Sequence, residues 1–413
     1  MSFALKGGCR KALLRRFIRL NIVATSSYSS QLGFLIAHAY SSQRADPVWL
    51  DLVIVFIKSL PANPHCSTTL INSGLLKRQF TANAFLLCVR PVVSSLDRFA
   101  AYLLLLVAWV LTPVCSVRFW QPRIHWLDKP ALKLGQFRVS VKLPGLPQIL
   151  YGDGFLQYCM TDCPFWLRRT GVDLGSFSGS LRSVISAFYH FSLEPVPAQD
   201  VHSRRINRSF VFKRLAMLLD SLPASSPLSY FLQIFTSSVA GYGKQYLFFL
   251  PTTTFYETGR ASLSAEIAMY RDYINELKLP PDALIICKPH PTSAPEKLSA
   301  LAELSTRFSA VDWMRDRVGA LSLVHFSLVP LELLLFMLIS YKPIVRESSV
   351  GVAVASTASL SCLSLFPSMV WRAAFGDTLV HRYVHHDFSL KRLQQEALVC
   401  QYLADHGFLA SGL

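Results

Sequence analysis

ALIICKPHPTS occupies residues 283–293. Ala283–Cys287 is an apolar run too short for a helix, and it reads as a buried strand. The run stops at Lys288-Pro289-His290-Pro291, where two prolines remove the N–H groups that further strand pairing would need. One imidazole is thereby held in a rigid turn just past the carboxyl end of a strand. In an open α/β sheet, ligands bind at that edge. Taken alone, the tetrapeptide fits a plain proline-rich turn with an exposed histidine equally well.

The flanking sequence keeps an α/β rhythm. Tyr246–Leu250 reads as a strand followed by the polar loop Pro251–Gly259. Leu263, Ile267, Tyr270, Ile274 and Leu277 then hold a three-four spacing, which predicts an amphipathic helix stopped by Pro280-Pro281. Pro295 opens a further helix with Leu298, Leu301, Leu304 and Phe308 on one face. Gly319–His325 is a predicted strand leading to Val329-Pro330-Leu331-Glu332. Val350–Ala355 is another, with Ser356-Thr357 directly after it, and a helix near Ser389–Ala404 closes the chain. Alternating elements of this kind predict a doubly wound sheet.

The first half opens in the same way. Asn21–Thr25 reads as a strand, Ser26–Ser30 as a polar loop, the stretch through Leu35 and Ala39 as a helix, and Leu52–Ile57 as a second strand. The loop lacks the G-x-G-x-x-G fingerprint, so a nicotinamide dinucleotide is not indicated. No charge falls between Arg98 and Arg118, and Phe99–Val117 is about long enough to span a bilayer. Pro113 divides it, however, into a helix near Phe99–Leu111 and a strand near Val114–Phe119, and a buried helix is the preferred reading. Pro147–Tyr151 is a short strand ending in Gly152-Asp153-Gly154, a tight turn that leaves one carboxylate exposed. A proline-rich stretch from Ser192 to Pro227 holds one helix, Phe212–Leu219. The linker is expected around Ser237–Gly243, which gives domains 1–240 and 241–413.

Composition narrows the function classes. At 413 residues, two domains of ordinary size are expected. A 52% hydrophobic chain with a mean hydropathy of +0.35 can bury large cores and brings membrane contact into view. The net charge of +16 calls for anionic partners, and with no zinc finger, RNP motif or long basic run, nucleic acid is the weaker choice. The nine cysteines contain no C-x-x-C pair, Cys159 and Cys163 being the closest, and they read as reduced thiols of a cytoplasmic protein. His385-His386-Asp387 reads as a solvated loop rather than a metal site, since adjacent residues seldom converge on one ion. Met1–Leu20 carries Lys6, Arg10, Lys11, Arg15, Arg16 and Arg19 without an acid. Leu13, Leu14, Phe17 and Ile18 fall between them at helical spacing. That pattern predicts a basic amphipathic helix on the inner face of the cell membrane, with a plain N-terminal extension as the alternative.

Two features of the second half carry chemistry. Glu332 is the sole charge between His325 and Lys342, in the first turn of the apolar helix that Pro330 opens. A buried carboxylate there needs partners, and vicinal sugar hydroxyls would supply them; a partly solvated acid at a helix start is the plainer alternative. Ser356 and Thr357 offer hydroxyls and backbone N–H groups at a strand-to-helix junction, a place for phosphate or an ordinary N-cap.

Asp-Gly after a strand in the first half, then KPHP, Pro-x-Glu and Ser-Thr in the second, together resemble bacterial sialyltransferases. The α-2,8-polysialyltransferase-like family is the nearest of these. Glu257-x-Gly259 and the helix before KPHP add to the likeness, which is strongest from Tyr246 to Leu360. The resemblance implies a GT-B-type α/β fold, two Rossmann-like domains facing across a cleft that holds the active site. It implies a CMP-activated sialic acid or related acid sugar as donor, a glycan acceptor, no cofactor and no metal. Asp153 would be the general base, and His290 would offset charge on the leaving CMP. Lys288, Pro291 and Gly259 would line the donor site, Glu332 would hold the ribose hydroxyls, and Ser356 and Thr357 the phosphate. Gly152 departs from the family, where an acidic residue usually precedes the aspartate. Another CDP- or CMP-linked transferase of surface-polymer synthesis, a silent nucleotide- or glycan-binding relative, and a membrane-embedded protein stay open as alternatives.

Overall fold

The structure, a computed structural model, describes residues 17–25, 28–44, 49–58, 84–92, 95–113, 115–121, 132–134, 137–139, 148–151, 185–190, 203–240, 245–253, 255–281, 283–291, 293–304, 326–327, 329–353, 362, 364–372 and 377–384. They fall into two compact units. Their described residues divide at Ser221–Leu222, the last passage from the first unit to the second, where the sequence reading set the boundary at 240/241.

The first unit runs β1 (Ile18–Thr25), α1 (Tyr28–Arg44), β2 (Leu50–Lys58), β3 (Ala84–Val92), α2 (Ser95–Leu111) and β4 (Ser116–Gln121). A small antiparallel pair follows, β5 (Leu132–Leu134) and β6 (Phe137–Val139). After it come β7 (Gln148–Tyr151), β8 (Ile185–His190), β9 (Ser203–Arg205) and α3 (Arg208–Ser221). Among the described residues the main sheet has the order β3-β2-β1-β4-β7-β8-β9, parallel throughout. The first four strands stand in the order of a Rossmann half, as the opening of the chain predicts. Pro91 lies in β3, where the sheet edge tolerates its missing N–H.

The period of two sends the faces of this sheet to different partners. Leu20, Ile22, Ala24, Ile54, Phe56, Val117 and Phe119 pack under Ala101, Leu105 and Ala108 of α2. The opposite face takes α1, where Phe34 meets the edges of Trp120 and Tyr151 at centroid distances of 5.5 and 5.6 Å.

Two sequence expectations change here. α2 is not a buried helix: one face is core, while Leu103 is 52% and Val110 62% exposed. Its apolar residues run all round, and a single helix laid on a sheet can bury only the side that touches it. The basic helix expected over Met1–Leu20 gives way at Ile18, where β1 begins. Arg19 is buried and ion-paired to Asp51, because strand pairing with Leu50–Lys58 claims those residues. Among the described residues, no helix is long and apolar enough to cross a membrane.

The second unit begins with α4 (Pro227–Val239), whose last turn takes up Ser237–Val239 of the linker expected at Ser237–Gly243, while Gly241–Gly243 lie outside the described residues. Pro227 at its first position and the Ser226 hydroxyl, which accepts from Ser229 N at 3.1 Å, start this helix. Phe231 and Phe235 anchor it on Phe326, with ring centroids 5.9 and 5.8 Å away. Next come β10 (Tyr246–Phe249), α5 (Leu263–Glu276), β11 (Leu284–Cys287), α6 (Pro295–Leu304), α7 (Leu331–Phe336), β12 (Val350–Ala353), β13 (Val370–Arg372) and α8 (Asp377–Tyr383). The sheet order is β11-β10-β12-β13, all parallel. Each unit is therefore the Rossmann-like α/β layer that the alternating pattern predicts. The order turns at β10, with β11 on one side and β12 on the other, which makes the carboxyl ends of β10 and β12 the switch point.

Candidate functional site

The KPHP turn leaves the carboxyl end of β11, the outer strand of the second sheet beside β10. Lys288 N donates to Phe249 O at 2.8 Å, one step beyond the β11 ladder, and Pro289 then ends the pairing. Ser293 N reaches back to His290 O at 3.0 Å, closing a tight turn with Pro291 at its second position. His290 and Pro291 are half-buried.

Lys288 is buried, and its ammonium is committed to the protein. Nζ donates to Ser327 O at 3.1 Å and Pro289 O at 3.3 Å, and it lies 6.0 Å from the centre of the Phe326 ring. Burial pushes this group down to about 8, while the charge of Glu332 works in the opposite direction. Glu332 is itself buried, in the first turn of α7 just after Pro330, and every other residue of α7 is buried and apolar. The carboxylate therefore has a cationic neighbour that sequence reading did not supply. α7 continues into a π-turn at Met337–Tyr341.

The loop after β10 is pinned from below by a second charged cluster, of which sequence reading found only one member. Lys297 of α6 is fully buried, with Nζ 2.5 Å from Glu266 Oε1 of α5 and 3.0 Å from Glu257 Oε2. It also donates to Thr252 O. Glu266 accepts from Tyr256 N at 2.8 Å through its other oxygen, and the Tyr270 hydroxyl donates to it. Burial, together with the Glu266 charge, holds that phenol well above its usual range. Glu257 completes the frame, taking Ala294 N at 3.3 Å and so fastening the far end of the KPHP turn. Gly259 caps the short turn Tyr256–Thr258 at φ 70°. An added Cβ would meet nothing within 4 Å, so glycine is required there for its backbone angle rather than for space. The signal for Lys297 was in the helix period: it shares a stripe with Leu301 and Leu304, four and seven residues on.

The site residues read from the sequence divide as follows. Lys288, His290 and Pro291 share the turn at the carboxyl end of β11, the charge of Glu332 acts on Lys288, and Gly259 terminates the loop after β10. Asp153, with Gly152, lies two residues beyond the end of β7, outside the described residues, as do Ser356 and Thr357 three and four residues beyond β12. His385-His386-Asp387, Cys159, Cys163, Gly319–His325 and Ser389–Ala404 are also outside them. Among the described residues, no group of three or more His, Cys, Asp or Glu is placed to hold a metal ion, and Cys115, Cys287 and Cys362 are buried free thiols.

No known family profile matches the chain, and no curated protein does. Solved structures align over most of its length at low identity. A UDP-GlcNAc 2-epimerase from Methanocaldococcus jannaschii is 9% identical, covering 91% of this chain and 98% of its own, with a TM-score of 0.40. A wall teichoic acid polymerase is 11% identical over 96% and 88%, with a TM-score of 0.39. The ADP-heptose lipopolysaccharide heptosyltransferase II of E. coli is 8% identical over 94% and 99%, with a TM-score of 0.31.

Proposed function

We propose that the protein is a nucleotide-sugar-dependent, inverting glycosyltransferase, and that its donor is a CMP-activated sialic acid or related acid sugar. One observation carries the reading: a buried carboxylate, Glu332, whose charge acts on the buried Lys288 that opens the His290 turn at the carboxyl edge of a parallel sheet. The order of the Asp-Gly, KPHP, Pro-x-Glu and Ser-Thr motifs supports the CMP donor and the glycan acceptor.

In this reading Glu332 accepts hydrogen bonds from the ribose hydroxyls, and Ser356 and Thr357 donate to the phosphate. Asp153 takes the proton of the acceptor hydroxyl as its oxygen attacks the anomeric carbon. The bond from that carbon to the phosphate oxygen breaks, and the electron pair leaves on CMP. His290 offsets the charge that develops there. No step needs a metal ion.

Thermal shift of the full chain against CMP, CDP, UDP and ADP tests the donor. A rise selective for CMP is expected; a rise selective for CDP moves the assignment to a polymer-type transferase, and no rise with any of them overturns it. Asp153→Asn keeps the side-chain shape but removes the base. It should lower transfer by about 10²–10⁴ while leaving CMP affinity unchanged. Transfer at the parent rate would remove Asp153 from the chemistry.

A further inference from the structure

The outer face of α2 is apolar and open. Leu96, Phe99, Leu103, Leu106, Val107 and Val110 recur every three or four residues and are 42–77% exposed, opposite the buried stripe of Ala101, Leu105 and Ala108. Phe85 of the edge strand β3 extends the patch: it pairs in register with Leu52, which packs against the core under α2, and it is 54% exposed. So large a contiguous apolar surface marks a contact site.

Two further observations say what contacts it. β1, β2 and β4 start at one edge of the sheet, where Ile18 pairs with Leu50 and Arg19 with Ser116. α2 ends at that same edge, since Cys115 N bonds to Leu111 O at 3.0 Å just ahead of β4. Trp49 also stands there, 78% exposed, with its ring 5.0 Å from Phe17. Phe17 stands at this edge, and the sequence before it carries Lys6, Arg10, Lys11, Arg15 and Arg16 and no acid. An apolar strip bordered by tryptophan, on a chain with five cations and no acid ahead of Phe17, has the chemistry that fits an anionic bilayer surface. A second copy of the chain would bring another charge of +16 against the first.

We propose that the outer face of α2, together with the basic residues before β1, docks the protein on acidic lipid headgroups, α2 lying in the plane of the interface. This docking does not rest on the reaction proposed above.

Co-sedimentation of the full chain with vesicles tests it, using phosphatidylcholine alone and phosphatidylcholine mixed with phosphatidylglycerol. Stronger binding to the mixture, weakened by salt, is expected. Leu103→Asp and Val110→Asp should each lower partitioning by about tenfold or more, with melting temperatures unchanged because both side chains face solvent. Replacing Lys6, Arg10, Lys11, Arg15 and Arg16 by Gln should reduce binding to the level seen on phosphatidylcholine alone. A readout on the parent guards against misfolded variants: lipids brominated in the acyl chains should quench Trp109, seen as quenching lost in Trp109→Phe. The proposal falls if the aspartate variants pellet like the parent, if bromolipids quench nothing, or if charge removal changes nothing. It also falls if the parent is a dimer that the aspartates dissociate without altering vesicle binding.

Discussion

Each unit buries an ionic cluster between its sheet and a helix, but the two sit at opposite ends of their strands. In the first, Asp51 gathers Arg19 at 3.5 Å, His38 at 3.3 Å and the Asn21 amide. Asn21 in turn accepts from the Trp120 indole at 2.9 Å. Arg19 and Asp51 are the second residues of β1 and β2, so the cluster lies at the amino edge, away from the end where α/β sheets hold ligands. In the second unit, Lys297, Glu266 and Glu257 gather below the loop that leaves the carboxyl end of β10 and the turn that leaves β11. Similar chemistry thus serves as an internal fastener in one half and as the frame of a candidate binding edge in the other. Position along the strand separates the two roles.

Substitutions can break that distinction. Lys297→Met strands two carboxylates and should cost about 3–5 kcal/mol, the usual penalty for removing one partner of a buried pair. Asp51→Asn should cost a similar amount, on the order of 3 kcal/mol, since it strands Arg19. Denaturant midpoints measure both. Calorimetry with CMP on the folded fraction should then separate them, affinity falling for Lys297→Met and holding for Asp51→Asn. Equal affinity in both variants would dissolve the contrast.

A smaller effect is expected at the site itself. Glu332→Ala should weaken CMP binding by about 1–3 kcal/mol, the value of a lost charged hydrogen bond. The loss should be less for 2′,3′-dideoxy-CMP, which lacks the hydroxyls. Equal losses would take Glu332 off the ribose and leave it as the electrostatic partner of Lys288.

The smallest effects are in pH dependence: both groups make stability rise with pH, in windows far apart. Lys288 titrates at about 8 when folded, below its ordinary 10.5. Between those values the unfolded chain binds more protons, so the stability of the second unit should rise with pH there, and Lys288→Met should remove the rise. Affinity for an anionic nucleotide that needs the charged lysine should fall as pH climbs through 8. Burial raises the Asp51 carboxyl, but His38, Arg19 and Asn21 more than offset this and hold it below the usual carboxylate range. Its contribution is present above the unfolded value of about 3.9 and lost as pH falls through the lower folded one. Asp51→Asn should flatten that acid limb alone. Stability of the parent and both variants between pH 2 and 11 checks the pair (range chosen to bracket the unfolded values of about 3.9 and 10.4).

Local chemistry was legible in residue order wherever one segment settles its own state. Proline stopped β11 at Cys287 and opened α6 at Pro295, because a missing N–H and a fixed φ act on the residue itself. The three-four spacing of Leu263, Ile267 and Tyr270 gave α5 to within a residue of its end, since the period of a helix is intrinsic. Other features depended on partners distant in the chain. Nothing in Phe99–Leu111 says that only one of its apolar faces will meet a sheet, and nothing near Arg19 says that Asp51, 32 residues on, will draw it inside. Lys297 stands on the apolar stripe of α6, but nothing near it names its partner Glu266, which α5 brings to it from 31 residues away. Whether a charge is buried is a property of what folds against it, so the sequence determined the α/β elements and the KPHP turn, and tertiary packing alone decided which charges became the frame around that turn.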